Sequence, residues 1–312
     1  MGERRVGRVR ATASPAAAEP EEPSMPPAAD VTVVVPAMNR EALVGRALAS
    51  VGRQTVAPAR VLVVDDASDD GTAGAAEAAG AEVLRMPVRS GSGPARNAAI
   101  EAATTEWVAF LDSDDEWWPE HLATVLRHGG AGHDLVSTCA VSTGGRWLGS
   151  PRPGPLPVTP RTMLVPSDVV VTSATLVRRR ALLDAGLFRP LPRAQDMDVW
   201  IRVLERGSGV VVGEATATYH EHPMQAVRDT DLMRAAFDRI LDDYKDRAWM
   251  DRRLRAGALA RVTWDDLRAA QRDRRGADTL RHGLWFVQHP PAVLALGRVL
   301  DQRRRGRRRA TG

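Results

Sequence analysis

The sequence predicts an α/β protein with a mostly parallel central sheet flanked by helices. Short apolar runs alternate with stretches of helical periodicity between residues 31 and 117, and the connections are short. The apolar runs are hydrophobic throughout, as expected of strands covered on both faces. Three of their carboxyl ends are polar, at Asn39-Arg40, Asp65 to Asp70 and Asp112 to Asp115, and open α/β sheets bind ligands beyond those ends.

Each element follows from its residues. Residues 1–29 carry no hydrophobic signal core and are rich in Ala, Pro and Glu from position 11, so they read as a disordered segment. Val31 to Val35 is a β-branched strand that Pro36 is expected to end. Val44, Ala47, Leu48 and Val51 then recur at helical spacing. Arg60 to Val64 is the second strand, followed by an Ala-rich helix reaching Gly80. Glu82 to Met86 is the third strand and Pro94 to Ala103 the third helix. Trp107-Val-Ala-Phe-Leu111 is the fourth strand, with a further helix near Pro119. Pro151 to Pro160 reads as a loop and Val169 to Val177 as a strand. A helix starts near Asp196 with Met197, Trp200, Ile201 and Leu204 on one face, and Val210 to Tyr219 is again strand-like. Beyond Pro223 the chain turns helical: Met233, Ala236, Phe237, Ile240, Leu241 and Tyr244 share a face. The division is 1–29, 30–150, 151–225, and a helical extension over 226–312 that ends in a basic tail.

Composition excludes several chemistries. Of 43 basic residues the only lysine is Lys245, so there is no lysine-bearing phosphate loop. A single cysteine, Cys139, allows neither an internal disulfide nor a thiolate cluster, so a reducing cytoplasm is the default. The net charge of +4 is uneven, with Arg303 to Arg305 and Arg307 to Arg309 forming the basic tail. That tail reads as solvated, or as a peripheral contact with the anionic inner face of a membrane, where each basic residue adds about 1 kcal/mol. No span long and apolar enough for a transmembrane helix is visible, because Gly283 to Leu300 is interrupted by Gln288, His289, Pro290, Pro291 and Arg298. Nothing points to nucleic acid, since the basic stretches carry no interleaved aromatic residues.

The acidic cluster carries the chemistry. Asp112, Asp114 and Asp115 follow directly on a buried strand, where like charges repel unless a cation sits among them. Oxygen ligands suit Mg2+ or Mn2+. The competing reading is an acidic turn that caps the following helix.

In order along the chain, Val-Val-Val-Pro36-Ala-Met-Asn39-Arg40-Glu41, Asp65-Asp66-Ala-Ser68-Asp-Asp-Gly71-Thr72, Gly93-Pro-Ala-Arg96-Asn97, Phe-Leu-Asp112-Ser-Asp114-Asp115, Gly186-Leu-Phe188 with Gln195-Asp196-Met-Asp198-Val-Trp200-Ile-Arg202, and Tyr219-His-Glu-His222 resemble the family-2 glycosyltransferases. The resemblance covers roughly residues 31–223. It implies a GT-A nucleotide-sugar-binding fold and a metal-dependent, inverting transfer of a single sugar from a nucleoside-diphosphate donor, expected to be UDP-linked, to a hydroxyl acceptor. That acceptor is a glycan, a lipid-linked glycan, a metabolite or a protein. Residues 30–150 then bind the nucleotide-sugar, and 151–225 form the acceptor and catalytic part.

Residue roles follow the same resemblance. Pro36 and Asn39 are implied to reach the base through backbone, and Asp66 to accept a hydrogen bond from the imide of a uracil-like base. Arg96 is a planar donor to base or diphosphate oxygens. Asp112 bonds ribose, Asp114 and Asp115 face metal and diphosphate, and His222 is a further metal or diphosphate contact. The sequence does not divide the metal between Asp114 and Asp115. Asp196 is the implied general base, with Asp198 as its rival.

Other readings of these residues stay open. Asp66 caps the next helix, a position that Ser68 or Asp69 also fills. Arg96 forms a surface ion pair. Gly91-Ser-Gly93 resembles a dinucleotide loop but lacks the third glycine, and His220-Glu221-His222 lacks a third zinc ligand. Trp117 and Trp118 are an acceptor platform or simply core. Met38 and Gln195 depart from the family's Tyr and Glu, and the Gln-x-x-Arg-Trp signature of processive synthases is missing. The Gln195 departure keeps open a catalytically silent nucleotide- or glycan-binding module of the same fold. A sugar-1-phosphate nucleotidyltransferase would need a lysine-bearing loop after the first strand.

Overall fold

A computed structural model describes residues 28–165, 170–221, 230–272 and 274–289, together with Gly297. Its strands are β1 (Ala29–Ala37), β2 (Pro58–Asp65), β3 (Glu82–Arg85), β4 (Trp107–Phe110), β5 (Glu116–Trp117), β6 (Leu135–Ser142), β7 (Trp147–Leu148), β8 (Pro155–Val158), β9 (Thr175–Arg178) and β10 (Gly209–Tyr219). Its helices are α1 (Glu41–Gly52), α2 (Thr72–Ala78), α3 (Ser92–Ala102), α4 (His121–Gly129), α5 (Pro160–Leu164), α6 (Arg179–Asp184), α7 (Gln195–Leu204), α8 (Thr230–Asp243), α9 (Arg252–Arg272) and α10 (Gly276–Gln288). A 3-10 turn, Thr172–Ala174, leads into β9.

All strands join one sheet in the order β3-β2-β1-β4-β9-β6-β10-β5, with β7 beside β6 and β8 beside β10. The α/β class and the helical extension hold. The half from β3 to β4 is parallel, as the apolar runs predict. The other half is mixed, because β9 runs antiparallel to both β4 and β6, and β5 antiparallel to β10.

Side chains alternate along β1 between two cores. Val31, Val33 and Val35 meet Val44, Ala47, Leu48 and Val51 of α1 on one face. Val34 faces Ala95, Ala99 and Ile100 of α3 on the other, in the cluster that also holds Trp200 of α7 and Phe237 of α8. Each such Val, Leu or Ile contributes about 1.5–3 kcal/mol by leaving water.

Several local expectations are corrected. Pro36 does not end the first strand: it pairs with Val64, and β1 runs on to Ala37. The Val169–Val177 segment is divided, with 166–169 outside the described residues and the remainder a 3-10 turn plus β9. Pro151 to Pro160 contains β8, paired with Gly209 to Val212 of β10. Strand β6 had no clear signal, since Ser137, Thr138 and Cys139 dilute its hydrophobicity, yet all three are buried.

Candidate active site

Because β1, β2 and β4 are parallel, their carboxyl ends meet at one edge. Asn39 follows β1 in the left-handed region (φ 52°), which Asn tolerates better than most residues. There its amide N–H donates to Ser68 Oγ (2.9 Å) and its Oδ1 accepts from the amide of Asp69 (2.9 Å). Asn39 thus staples the two loops together, while Pro36 is buried within the strand.

Asp66 does not cap α2. The amide of Thr72 donates to Asp70 Oδ1 (3.0 Å) at that helix start, and neither Ser68 nor Asp69 takes the role. Asp66 is nearly buried and accepts from Ser90 N (2.7 Å), Ser90 Oγ (2.9 Å) and Gly91 N (2.7 Å), which ties β2 to the entry of α3.

Arg96 is not a surface residue. It is 7% exposed, donates to Asp112 Oδ1 (2.6 Å), and lies 5.5 Å from the centre of the Phe188 ring. Phe188 packs against Phe110 and Trp200, and Asn97 holds the Phe188 backbone through both its N–H and its C=O. The motif Gly93 to Asn97 therefore serves both the crevice and the attachment of α7.

The three acids diverge in environment. Asp112 keeps a third of its side chain exposed beside Arg96. Asp114 faces Arg40 at 3.8 Å, and its carbonyl accepts from Arg46 (2.7 Å). Asp115 is fully buried and accepts from Ser173 Oγ (2.5 Å) and His220 N (3.0 Å). Burial, aided by the charges of Asp112 and Asp114, pushes the Asp115 carboxyl up to about 8. A carboxyl raised in this way holds in the folded chain a proton that the unfolded chain has already released. Its contribution is greatest below the ordinary value of 3.8 and is lost as the pH rises towards 8. Urea unfolding with a chelator present is expected to show stability declining from about pH 5 to about pH 8, and Asp115→Asn is expected to flatten the decline. An unchanged slope in Asp115→Asn would refute the assignment.

The 3-10 turn joins the two halves of the crevice. Ser173 touches Asp115 and accepts from the Asp112 amide (3.2 Å), and its carbonyl accepts from Trp117 Nε1 (2.5 Å). The neighbouring Thr172 hydroxyl donates to Asp196 Oδ2 (2.9 Å). Asp196 is half-buried in the first turn of α7. Residue 194 preceding that turn, Ala194, has φ 55°, which is costly for a residue with a Cβ and is held by the surrounding packing. Sequence reasoning missed Thr172 and Ser173, which are ordinary residues in a β-branched run.

Asp198 sits in a buried ion network. Its side chain is wholly buried, paired with Arg189 and Arg202, and accepts from Tyr244 of the C-terminal extension (2.9 Å). Burial would raise it, but the Arg189 and Arg202 contacts outweigh burial and hold it below the usual carboxylate range. Gln195 donates to the Leu191 carbonyl, and its Oε1 is buried without a hydrogen bond. A Cβ at Gly93 would meet that oxygen at 2.4 Å, so glycine permits the close approach of α3 to α7.

Trp117 is core, 2% exposed, whereas Trp118 is exposed and donates to Thr218 Oγ1. His220 contacts Glu116 (2.8 Å); His222 lies outside the described residues. Among the described residues no group of three or more His, Cys, Asp or Glu is arranged to hold a metal ion. Asp112 and Asp114, two residues apart, nonetheless offer partly exposed oxygen donors. That donor set fits Mg2+ or Mn2+, which are commonly held by one or two carboxylates completed by substrate phosphates.

Residues 32–184 match the model of Glycosyl transferase family 2. The uncharacterized glycosyltransferase Mb0553 of Mycobacterium bovis is 30% identical over 220 residues, covering 69% of this chain and 96% of that protein. A pre-mycofactocin glycosyltransferase of Mycobacterium tuberculosis is 30% identical over 241 residues, covering 70% of this chain and 48% of its own length. The chain thus spans about half the length of that relative, and about a third of another. A crystal structure of S. aureus TarS in complex with UDP-GlcNAc superposes with a TM-score of 0.61 at 22% identity, covering 86% of this chain and 80% of that one. The shared element there is the fold.

Proposed function

This chain belongs to glycosyl transferase family 2, and from that premise we propose that it moves a single sugar, with inversion, from a uridine-diphosphate donor to a hydroxyl acceptor. The observation that carries the proposal is the Thr172–Ser173 turn, which hydrogen-bonds to Asp112 and Asp115 on one side and to Asp196 on the other. That linkage supports a reading in which donor-side and acceptor-side acids share one crevice. The nucleotide-sugar bound by TarS supports the choice of donor class.

In this reading residues 30–150 hold the donor. Asp66 uses a remaining lone pair to accept from the base imide, with Pro36 and Asn39 shaping the wall beside it. Arg96 shares its donors between Asp112 and the diphosphate, and Asp112 bonds ribose. Asp114 holds a divalent cation at the crevice edge, with the buried Asp115 behind it and His222 as a further contact. When bound, that cation neutralises the departing diphosphate.

Residues 151–225 supply the acceptor side. Asp196 takes the proton from the acceptor hydroxyl while its oxygen bonds to the anomeric carbon and the bond to the diphosphate breaks. Thr172 and the Met197 amide (2.8 Å) hold that carboxylate in orientation.

Calorimetric titration with UDP is expected to show binding at least tenfold tighter with Mn2+ than with a chelator, and Asp114→Ala to abolish the difference. Equal affinities in wild type would sink the metal part. Peripheral membrane contact is part of the proposal: Leu280, Leu284 and Val287 are exposed on one face of α10, and the arginine tail, outside the described residues, follows. No described helix is long and apolar enough to cross a membrane. Sedimentation with anionic but not neutral liposomes is the expected result, and loss of residues 301–312 should weaken it.

A further inference from the structure

A second cavity, of about 330 Å³, opens where the segment after β7 crosses the face of β6 and β10, and Trp147, Arg152, Glu214 and His128 line it. Its volume is at the lower end of small-ligand pockets, which span about 300–1,000 Å³. The Trp147 indole is 46% exposed although it sits in a paired strand.

The lip of the cavity is rigid. Pro151, Pro153 and Pro155 limit the backbone of the crossing segment, and β8 anchors its far end. At the β10 bulge a Cβ on Gly213 would lie 1.8 Å from the Arg152 carbonyl, so only glycine admits the crossing so close to the sheet. A site held open by covalent stiffness loses little entropy on binding.

The polar groups are unengaged. Among the described residues most arginines are ion-paired, yet the half-buried Arg152 is in no ion pair there, nor is the exposed Glu214. One cation and one anion beside an indole, with no excess of either charge, select a neutral ligand. That ligand needs a hydrocarbon face for the ring and neighbouring groups that both donate and accept. A pyranose has C–H bonds on one face and vicinal hydroxyls at its rim. A nucleotide would not tolerate the carboxylate, and an acyl chain would leave both charges unsatisfied.

We propose that this cavity is a saccharide-binding subsite, with Trp147 as the stacking platform and Arg152 and Glu214 as hydroxyl clamps. It shares strands with the crevice: Val141 of β6 pairs with Trp147 on one side and with Thr218 on the other. Trp147 is thus two strand spacings, about 10 Å, from Thr218, and His220 two residues further on donates to Asp115. That separation suits a unit of an oligosaccharide whose end lies at Asp196. Its identity as the acceptor rests on the function proposed above; saccharide binding itself does not.

The test is ligand-observed NMR and calorimetric titration with malto-, cello- and chitohexaose, on wild type, Trp147→Ala, Trp147→Tyr and Glu214→Gln. At least one hexasaccharide is expected to bind wild type, with affinity at least about tenfold weaker in Trp147→Ala, partly restored in Trp147→Tyr, and weakened in Glu214→Gln. UDP affinity should be the same in all four, since Trp147 and Glu214 lie outside the donor site. No binding of any of the three, or equal binding by Trp147→Ala, overturns the subsite. Saccharide binding that depends on Trp147 in a protein that does not bind UDP would keep the subsite and overturn the transferase reading instead.

Discussion

Asp196→Asn is expected to lower transfer by about 10²–10⁴-fold while leaving UDP affinity within about twofold of wild type. The amide keeps the shape of the carboxylate, accepting from the Met197 amide through its oxygen while the Thr172 hydroxyl turns to accept from its NH2, but it cannot accept the acceptor proton. The loss should fall on kcat, because donor contacts lie on the other side of the 3-10 turn. Single-turnover assays with radiolabelled UDP-sugars measure this directly. Retention of more than about a tenth of wild-type turnover would remove Asp196 from the role. Wild-type protein that binds UDP but turns over none of the common donors would instead favour the silent module suggested by Gln195.

Asp198→Ala is expected to cost about 3–5 kcal/mol of stability, because removing one member of a buried ion network leaves its partners charged and unpaired. Arg189 and Arg202 would lose their common partner, and Tyr244 the acceptor of its hydroxyl. Since Arg189 also reaches Asp243 at 3.0 Å, the damage should spread to the packing of α7 against α8. A lower urea midpoint is the expected readout. Tyr244→Phe, which removes one hydrogen bond to a charged group, should cost about 1.5–3 kcal/mol. Were Asp198 the base instead, its replacement would spare the midpoint and abolish turnover, so the two carboxylates are separated by which quantity each one moves. The Asp198 contribution is present above the ordinary carboxylate value and is lost as the pH falls through its lowered one.

Much of the parallel half was legible. Continuous apolar runs such as Val31 to Val35 specify a strand buried on both sides, and the following helical spacing specifies what covers it. The acids after β2 and β4 were legible for the same reason, since a parallel arrangement brings those strand ends to one edge. The mixed half was not. Thr138 and Cys139 in β6 gain their burial from α4 and β10, and no local pattern announces partners so distant in sequence. The roles of Asp66 and Arg96 were only half legible: residue type suggested ligands, but not that Ser90, Gly91 and Asp112 already engage them in this structure.

The sequence by itself determined the family and the α/β class, and it singled out the acids as candidates, because those depend on residue type and on periodicities of two to four residues. Tertiary structure alone decided the surroundings of each acid. Asp112 and Asp114 keep access to the crevice, Asp115 turns inward onto Ser173 and His220, Asp196 leans on Thr172, and Asp198 disappears between two arginines. The physical reason is that a carboxylate's chemistry follows from its solvation and its neighbours, and both come from chain segments 24 to 105 residues away in the contacts that matter most for Asp196 and Asp115.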